Sequence, residues 1–411
     1  MSARGPFAPL PESLAGAFDW RNTPHLKDIL SALNAVRDDT ARFVGGCVRD
    51  SLLGAAPKDY DIATSLTPEA VIKALYDAGL RSAPTGLDHG TVTAIAEKGV
   101  AEITTLRKDI TTDGRRATVS FTDNWEADAR RRDFRINAIY LTADGKLFDP
   151  VGGLNDIYDK RVQFIGDPYT RIREDYLRIL RFFRFTARFA EAIDPSGEAA
   201  CSALATQIAT LSGERIGAEM KAILTLPRGG EAVTAMDRSG VLAAIDVGSY
   251  EIPAFIRLKS DYPDAGAMVG LAVLFGESPS IDRRFRLSNA EKSERRAIIK
   301  TARQLKDIVD DRSVRRLIYQ AGEEIVLQST QYAVALQQVE AGRANEWREI
   351  VANWSCPEFP ISGKDLIARG MSPGPDIGRK LAAIEAQWIE DDFPGPGRLD
   401  SIIANILAQG G

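Results

Sequence analysis

The sequence predicts an α/β head followed by an all-helical remainder. Three observations carry this. Short β-rich runs alternate with helical segments through about the first 150 residues. The last 200 or so residues keep a helical period. Composition is that of an ordinary globular chain, with 44% hydrophobic and 27% charged residues, and 411 residues give room for several domains, each with its own core. The net charge of −5 offers no general attraction for nucleic acid, so any such contact has to come from local patches. Cys47, Cys201 and Cys356 stand far apart with no CxxC spacing, which reads as reduced thiols in a cytoplasmic protein and not as disulfides or a zinc site. The N-terminus lacks a basic-then-apolar targeting pattern, and the apolar run "AGAMVGLAVLF" (265–275) is too short to cross a bilayer.

Taken in order, "RFVGGCVRDSLLG" (42–54) reads as a strand, a Gly45-Gly46 turn and a short helix closed by Gly54. The strand reading at "YDIAT" (60–64), carried back to Asp59, puts Asp59 and Asp61 on one face. "TPEAVIKALYDAG" (67–79) is a helix capped by Thr67, with Pro68 in its first position and Gly79 at its end. "TVTAIAEKGVAEITTLR" (91–107) gives two strands joined at Glu97-Lys98-Gly99, and Asp144-Gly145 suits a tight two-residue turn in a second hairpin. Residues 107–131 read as a long polar, basic connection. "RIREDYLRILRFFRFTARF" (171–189) opens the helical part as one long helix. "SNAEKSERR" carries a capping box from Ser288 to Glu291, and Ile377, Leu381, Ile384 and Trp388 form a core-facing stripe.

The chemistry begins with Asp59 and Asp61. Two carboxylates held this close repel unless a cation lies between them, and Mg²⁺ suits a site of hard oxygen donors. The Gly45-Gly46 turn opening a helix offers backbone N–H groups to an anion. An anion cradle beside a dicarboxylate metal site is what phosphate transfer from a nucleoside triphosphate requires.

The order "GGCVRDSLLG…KDYDIAT", "RRDFRINA" (131–138), "DPVGGLNDI" (149–157), "EDYLRILRFFRF" (174–185) and "GERIGAEM" (213–220) resembles the class II tRNA nucleotidyltransferases, the CCA-adding enzymes. The resemblance covers most of the chain. It implies a polymerase-β-like nucleotidyltransferase head with a small mixed antiparallel sheet, then an all-α neck, body and tail. The corresponding boundaries are 1–148 for the catalytic head, 149–225 for a neck that reads the nucleobase, and 226–411 for a body and tail that bind tRNA. It implies Mg²⁺ as cofactor, tRNA, CTP and ATP as partners, and no membrane; it leaves the oligomeric state open.

By the same resemblance Asp59 and Asp61 hold the metals and Glu102 is the third carboxylate. Gly45, Gly46, Arg49 and Arg132 bind the triphosphate, and Asp133 with Asn137 serves the ribose. Residue chemistry agrees: a guanidinium fork suits phosphate, and a carboxylate accepts from a hydroxyl, although an ion pair between Arg132 and Asp133 fits the spacing equally well. Glu174, Asp175, Arg178 and Arg181 fall three and four apart, on one helical face. Such a face is ordinarily a solvated salt-bridge ladder; the resemblance makes it a protein substitute for a template base. Cytosine and adenine both place an amino donor beside a ring-nitrogen acceptor. One Asp–Arg pair can therefore read both and reject guanine and uracil, which reverse those groups.

The resemblance also makes residues 107–131, including "DGRR" (113–116), a flexible loop needed for the change from C to A. It makes "TGLDHGTVTA" (85–94) a signature of the tRNA-directed enzymes; His89 itself reads as a turn residue, with a general base as the alternative. No His-Asp dipeptide occurs, so a His-Asp phosphohydrolase domain is not expected. Arg283, Arg284, Arg286, Lys292, Arg295, Arg296, Lys300 and Arg303, extended by Lys306, Arg312, Arg315 and Arg316, are candidates for a tRNA-facing surface or for a salt-bridged helix face. An A-adding enzyme or poly(A) polymerase of the same family is the nearest alternative. A catalytically silent RNA-binding relative is a more distant one.

Overall fold

The β-branched runs of the first 150 residues become strands, and the structure, a computed structural model, describes residues 7–87, 90–112 and 117–408. The strands are β1 (Phe7–Pro9), β2 (Ala41–Val44), β3 (Asp61–Thr64), β4 (Arg81–Gly86), β5 (Thr91–Ala96), β6 (Gly99–Thr105), β7 (Arg107–Thr112), β8 (Ala117–Phe121), β9 (Tyr140–Leu141) and β10 (Lys146–Phe148). Eight form one sheet in the order β1-β10-β9-β2-β3-β6-β5-β4, while β7 and β8 pair separately. Within the large sheet β3 and β6 run parallel, and the other neighbours are antiparallel. The parallel pair is in register at Asp61↔Glu102 and Ile62↔Ile103.

Between the strands lie α1 (Pro24–Asn34), α2 (Gly46–Leu52), α3 (Pro68–Asp77) and α4 (Trp125–Arg130). The expected Thr67 cap on α3 is present, with Thr67 accepting from Ala70 N–H and Pro68 in the first turn. Gly54 and Gly79 take φ of +75° and +74°, which closes α2 and α3 as expected. The β5–β6 hairpin turns at Glu97-Lys98, with Ala96 opposite Gly99. In the second hairpin Thr142 N–H bonds to the Lys146 carbonyl, so Ala143-Asp144-Gly145 form a three-residue loop where two residues were expected. Gly145 supplies the left-handed φ of +84° that this loop needs. Residues 107–131 also depart from expectation, holding the β7–β8 hairpin and α4 where a loop was anticipated; "DGRR" (113–116) and His89 lie outside the described residues.

The helical continuation of this unit comprises α5 (Gly153–Tyr158), α6 (Pro168–Glu174), α7 (Leu177–Phe189), α8 (Pro195–Ala203), α9 (Gly213–Leu224) as far as Glu219, α10 (Gly229–Arg238) from Glu231 onward, and α11 (Val241–Ala244). The single long helix expected over 171–189 is divided, because Asp175 is extended with φ −156° and ψ 107° and ends α6. Phe182, Phe183 and Phe185 of α7 are buried, and Phe134 packs its ring 5.2 Å from Phe185.

A second compact unit holds residues 220–230 and 247–411. It contains α12 (Ile252–Asp261), α13 (Ala267–Phe275), α14 (Pro279–Arg284), α15 (Asn289–Leu305), α16 (Asp311–Ala321), α17 (Glu323–Ala335), α18 (Ala341–Asn353), α19 (Gly363–Ala368), α20 (Pro375–Glu390) and α21 (Pro396–Ala408). The apolar run forms α13, whose residues 268–275 are all buried; among the described residues no helix is long and apolar enough to cross a membrane. The capping box of Ser288 and Glu291 opens α15 as expected. Ile384 and Trp388 of α20 join Leu399, Ile402 and Ile403 in one core, with Ile377 and Leu381 at its margin. Arg295 departs from its place among the candidate surface cations. It is 2% exposed and paired with Asp282 at 2.8 Å, because it sits on the inner face of α15. Arg296, Arg303, Arg312, Arg315 and Arg316 are also ion-paired, as a salt-bridged face would have them.

Gly153, the first residue of α5, is pressed against the 3₁₀ turn Arg135–Asn137. A Cβ there would lie 2.2 Å from the Arg135 carbonyl oxygen, a backbone atom with no room to yield. Gly153→Ala is expected to destabilise the protein by about 1–3 kcal/mol, read as a fall in thermal unfolding midpoint.

Candidate active site

Gly45 follows β2 with φ +76° and ψ −129°, a conformation open to glycine, and α2 starts at the next residue. A Cβ on Gly45 would stand 3.4 Å from Asp61 Oδ2 and 3.9 Å from Arg132 Nη1. The bare glycine therefore lets the turn approach a carboxylate and a guanidinium together. Asp61 opens β3, and its parallel partner on β6 is Glu102, so the two side chains leave neighbouring strands on the same face. The Glu102 N–H donates to the Tyr60 carbonyl at 3.1 Å and locks this register. Asp59 lies in the bend before β3 and not in the strand, as had been expected; its charge still bears on Asp61.

Burial is the main reason that the Asp61 carboxyl is pushed above the ordinary carboxylate range. The Glu102 charge adds to the push, Arg132 opposes it, Asp59 adds a little more, and Arg49 opposes it weakly. Behind Asp61, the buried Cys47 thiol is raised to about 12, chiefly by burial. Among the described residues no three His, Cys, Asp or Glu side chains are grouped so as to cage a metal unaided. The donor set fits an ion that takes one or two carboxylates and completes its shell with water and phosphate oxygens, as Mg²⁺ does.

Arg132 is aimed by Asp128, a residue that the motif reading did not single out. Asp128 Oδ2 accepts from Arg132 Nε and Nη2 at 3.3 and 3.2 Å and from the Tyr140 hydroxyl at 2.8 Å. Its Oδ1 accepts from Arg131 Nε at 2.8 Å and from the Arg107 N–H at 3.3 Å. Burial alone would raise the Asp128 carboxyl, but Arg132, Arg131 and the Tyr140 hydroxyl outweigh it and hold it near 2. The signal was present in the sequence: Asp128 stands three and four residues before Arg131 and Arg132. Nothing local marked Tyr140.

Asp133 and Asn137 come together, with Asn137 Nδ2 donating to Asp133 Oδ1 at 3.0 Å. Arg132 pairs with Asp128, and Asp133 takes Arg181 at 2.6 Å, so the pairing of Arg132 with Asp133 left open by their spacing is not formed. Arg49 is 7% exposed. Its Nη1 donates to Asn137 Oδ1 at 2.6 Å, its Nε donates to Asp50 at 2.8 Å, and its guanidinium lies 4.4 Å from the Phe189 ring centre. The structure thus places Arg49 at the joint between α2 and α7.

The four charged residues of 174–181 do not share one continuous helical face. Glu174 ends α6, Asp175 occupies the break, and Arg178 and Arg181 lie on α7. Arg178 Nη1 contacts Glu174 at 2.5 Å and the Arg171 carbonyl at 2.8 Å, and its Nη2 donates to the Arg131 carbonyl at 3.1 Å. Asp175 caps α7 by accepting from Leu177 N–H at 3.1 Å, and its other oxygen takes Arg215 of α9 at 2.7 Å. Arg215 lies within "GERIGAEM", so its motif was legible while its partner was not.

Carboxylates on adjacent parallel strands, an inward guanidinium and a glycine turn define a nucleotidyltransferase head. Comparison with known proteins carries this further. Residues 41–163 match the Poly A polymerase head domain, residues 192–245 the probable RNA and SrmB-binding site of polymerase A, and residues 271–395 the putative tRNA nucleotidyltransferase domain 2. The chain is similar to the mitochondrial CCA tRNA nucleotidyltransferase 1 of Mus musculus, 35% identical over 381 residues, covering 89% of this chain and 86% of the relative. It is also similar to the CCA-adding enzyme of Levilactobacillus brevis, 31% identical over 376 residues, with 86% and 90% covered. The crystal structure of the Bacillus stearothermophilus CCA-adding enzyme in complex with CTP superposes with a TM-score of 0.71 at 28% identity, over 94% of this chain and 98% of that one. The chain belongs to the class II tRNA nucleotidyltransferase family, that of the CCA-adding enzymes.

The raised Asp61 carboxyl has a consequence for stability. A carboxyl whose folded-state pKa exceeds its unfolded value weakens the fold while ionised, and that stability returns as pH falls through the folded pKa. With a chelator present, Asp61→Asn is expected to unfold at a higher temperature than the parent at neutral pH. The gap should close as pH falls below the usual carboxylate range, as thermal melts across a pH series would show.

Proposed function

We propose that this protein adds C, C and A to the 3′ end of tRNA, with CTP and ATP as substrates and pyrophosphate as leaving group, and that it works in the cytoplasm. The observation that carries the reading is the Asp61↔Glu102 register, set opposite Arg132 and the Gly45 turn in a chain of this family. The head spans 1–148, the neck 149–225 and the tRNA-binding body and tail 226–411. Asp59 and Asp61 would hold Mg²⁺, which when bound supplies charge neutralisation for the triphosphate and acidifies the attacking hydroxyl. Glu102 completes the acidic set, and the proton of the primer 3′-hydroxyl passes to a carboxylate of the Asp61–Glu102 pair.

Gly45 and Gly46 offer the turn backbone to the triphosphate, and Arg132, aimed by Asp128, offers its fork. Arg49, bonded to Asn137 and Asp50, serves by fixing the floor of that site. Asp133, steadied by Asn137, accepts from the ribose hydroxyl, which favours ribonucleotides. Asp175 and Arg178 read the base, and Glu174 fixes the Arg178 guanidinium. Asp175 accepts from the amino group of cytosine or adenine, and Arg178 donates to the adjoining ring nitrogen. Guanine or uracil would set a carbonyl against the carboxylate and an N–H against the guanidinium, leaving charges unpaired. The bonds of Asp175 to Arg215 and of Arg178 to Glu174 support the reading by holding both side chains at the break between α6 and α7.

The test offers labelled CTP or ATP to tRNAs lacking one, two or three residues of the mature acceptor end. CTP should extend the two shorter forms, and ATP should complete the longest. Extension by ATP alone, or long A tails, would reassign the chain to its A-adding relatives. Asp61→Asn should reduce transfer to background. Replacing Asp175 or Arg178 by Ala should relax rejection of UTP and GTP by about 1–3 kcal/mol, roughly 5–150-fold, in competition assays.

A further inference from the structure

The acceptor positions of Asp133 are all occupied. Oδ1 accepts from the Phe134 N–H at 2.8 Å and from Asn137 Nδ2 at 3.0 Å. Oδ2 accepts from Arg181 through Nε at 2.8 Å and Nη2 at 2.6 Å. A carboxylate offers about four lone-pair positions. A sugar hydroxyl therefore cannot simply be added to Asp133; it has to replace a donor.

The three donors are not equally replaceable. The Phe134 N–H is main chain, and the Asn137 amide is held from its other end by the buried Arg49. Arg181 differs: its side chain is 30% exposed, and its Nη1 already lies 3.7 Å from Glu219 Oε1 on α9. Glu219 is bound by Arg184, through Nε at 2.6 Å and Nη2 at 3.3 Å, and its Oε1 has room for another donor. Phe185 is 4% exposed, with the guanidiniums of Arg181, Arg184 and Arg49 at 5.1, 4.6 and 5.2 Å from its centre. Arg181 can exchange partners while keeping its contact with that aromatic face.

We propose that Arg181 is a sugar-responsive switch: the ribose 2′-hydroxyl displaces it from Asp133, and its charge transfers to Glu219. The proposal rests on the reading of Asp133 as the ribose contact. Arg181 then acts on the sugar and not on the base, although it lies one helical turn from Arg178. Ribonucleotide binding is thereby linked to α9, the helix that also carries Arg215, the partner of Asp175.

The experiment measures equilibrium binding of CTP, 2′-deoxy-CTP and UTP to the full chain by calorimetry with magnesium present. Glu219→Gln weakens the landing place for Arg181 and should lower the CTP to deoxy-CTP affinity ratio about fivefold or more. Arg181→Met frees Asp133 from competition and should raise the same ratio; Arg181→Ala gives this arm if the Met variant does not fold. Neither should move the CTP to UTP ratio. A fall of the sugar ratio in both variants would overturn the switch and make Arg181 a plain brace. A change in the CTP to UTP ratio would make it a base reader, and an unmoved sugar ratio would remove Arg181 from sugar recognition. A parent chain that binds CTP and deoxy-CTP alike overturns this proposal and leaves nucleotide addition standing. A parent that adds nothing to tRNA while the ratios move as stated overturns the function and leaves the coupling intact.

Discussion

The structure depends on holding like charges together. Asp61 and Glu102 are fixed side by side by a main-chain ladder that neither side chain can relax, and their flanking partners Ile62 and Ile103 are buried beneath the sheet. Sliding either strand by a single residue would turn its own isoleucine outward and its own carboxylate inward, so the hydrophobic layer enforces the acidic one. The surroundings answer the repulsion in part. Arg132 is turned toward Asp61 by a buried aspartate, and a glycine brings polar backbone where a side chain would have stood. What stays uncompensated is the need that a divalent cation and a triphosphate would meet.

Much of this was legible in the sequence where the information is local. The Gly45-Gly46 turn, the Thr67 cap, the capping box at Ser288 and the Ile384–Trp388 stripe depend on neighbours within a few residues, and they form as read. Periodicity failed at 171–189, where the charges kept a helical spacing across a point at which the backbone does not stay helical. Asp175 there serves as a cap for the helix that follows, a role open to aspartate at a break and unmarked by any period. The reading of Arg295 failed for a related reason. Interspersed acids made its helix look solvated, while Asp282 drew its guanidinium into the interior.

The site was legible as a set of residues and much less as a set of partnerships. The motifs named Arg132, Asp175 and Arg181, yet the groups that aim them are Asp128, itself bonded by Tyr140, together with Arg215 and Glu219. Partners such as Tyr140 are supplied by a strand that pairs across the sheet, and sequence distance says nothing of them. Charged pairs this well buried add little net stability compared with apolar packing of the same volume, because each ion loses its hydration. Their value lies in direction: a guanidinium bonded at two or three points cannot swing to an unproductive angle.

Cys47 lies directly behind Asp61, its sulfur within 3.3 Å of the Val44 carbonyl, and burial keeps almost all of it as the neutral thiol. Oxidants and electrophiles attack the thiolate, and they need access to it. A nucleophilic-looking atom at the back of the catalytic wall is thus chemically mute, and peroxide or alkylating stress has no ready handle on the centre through it. Chemical inactivation of this protein by thiol reagents would have to begin at the exposed Cys356, in the other compact unit.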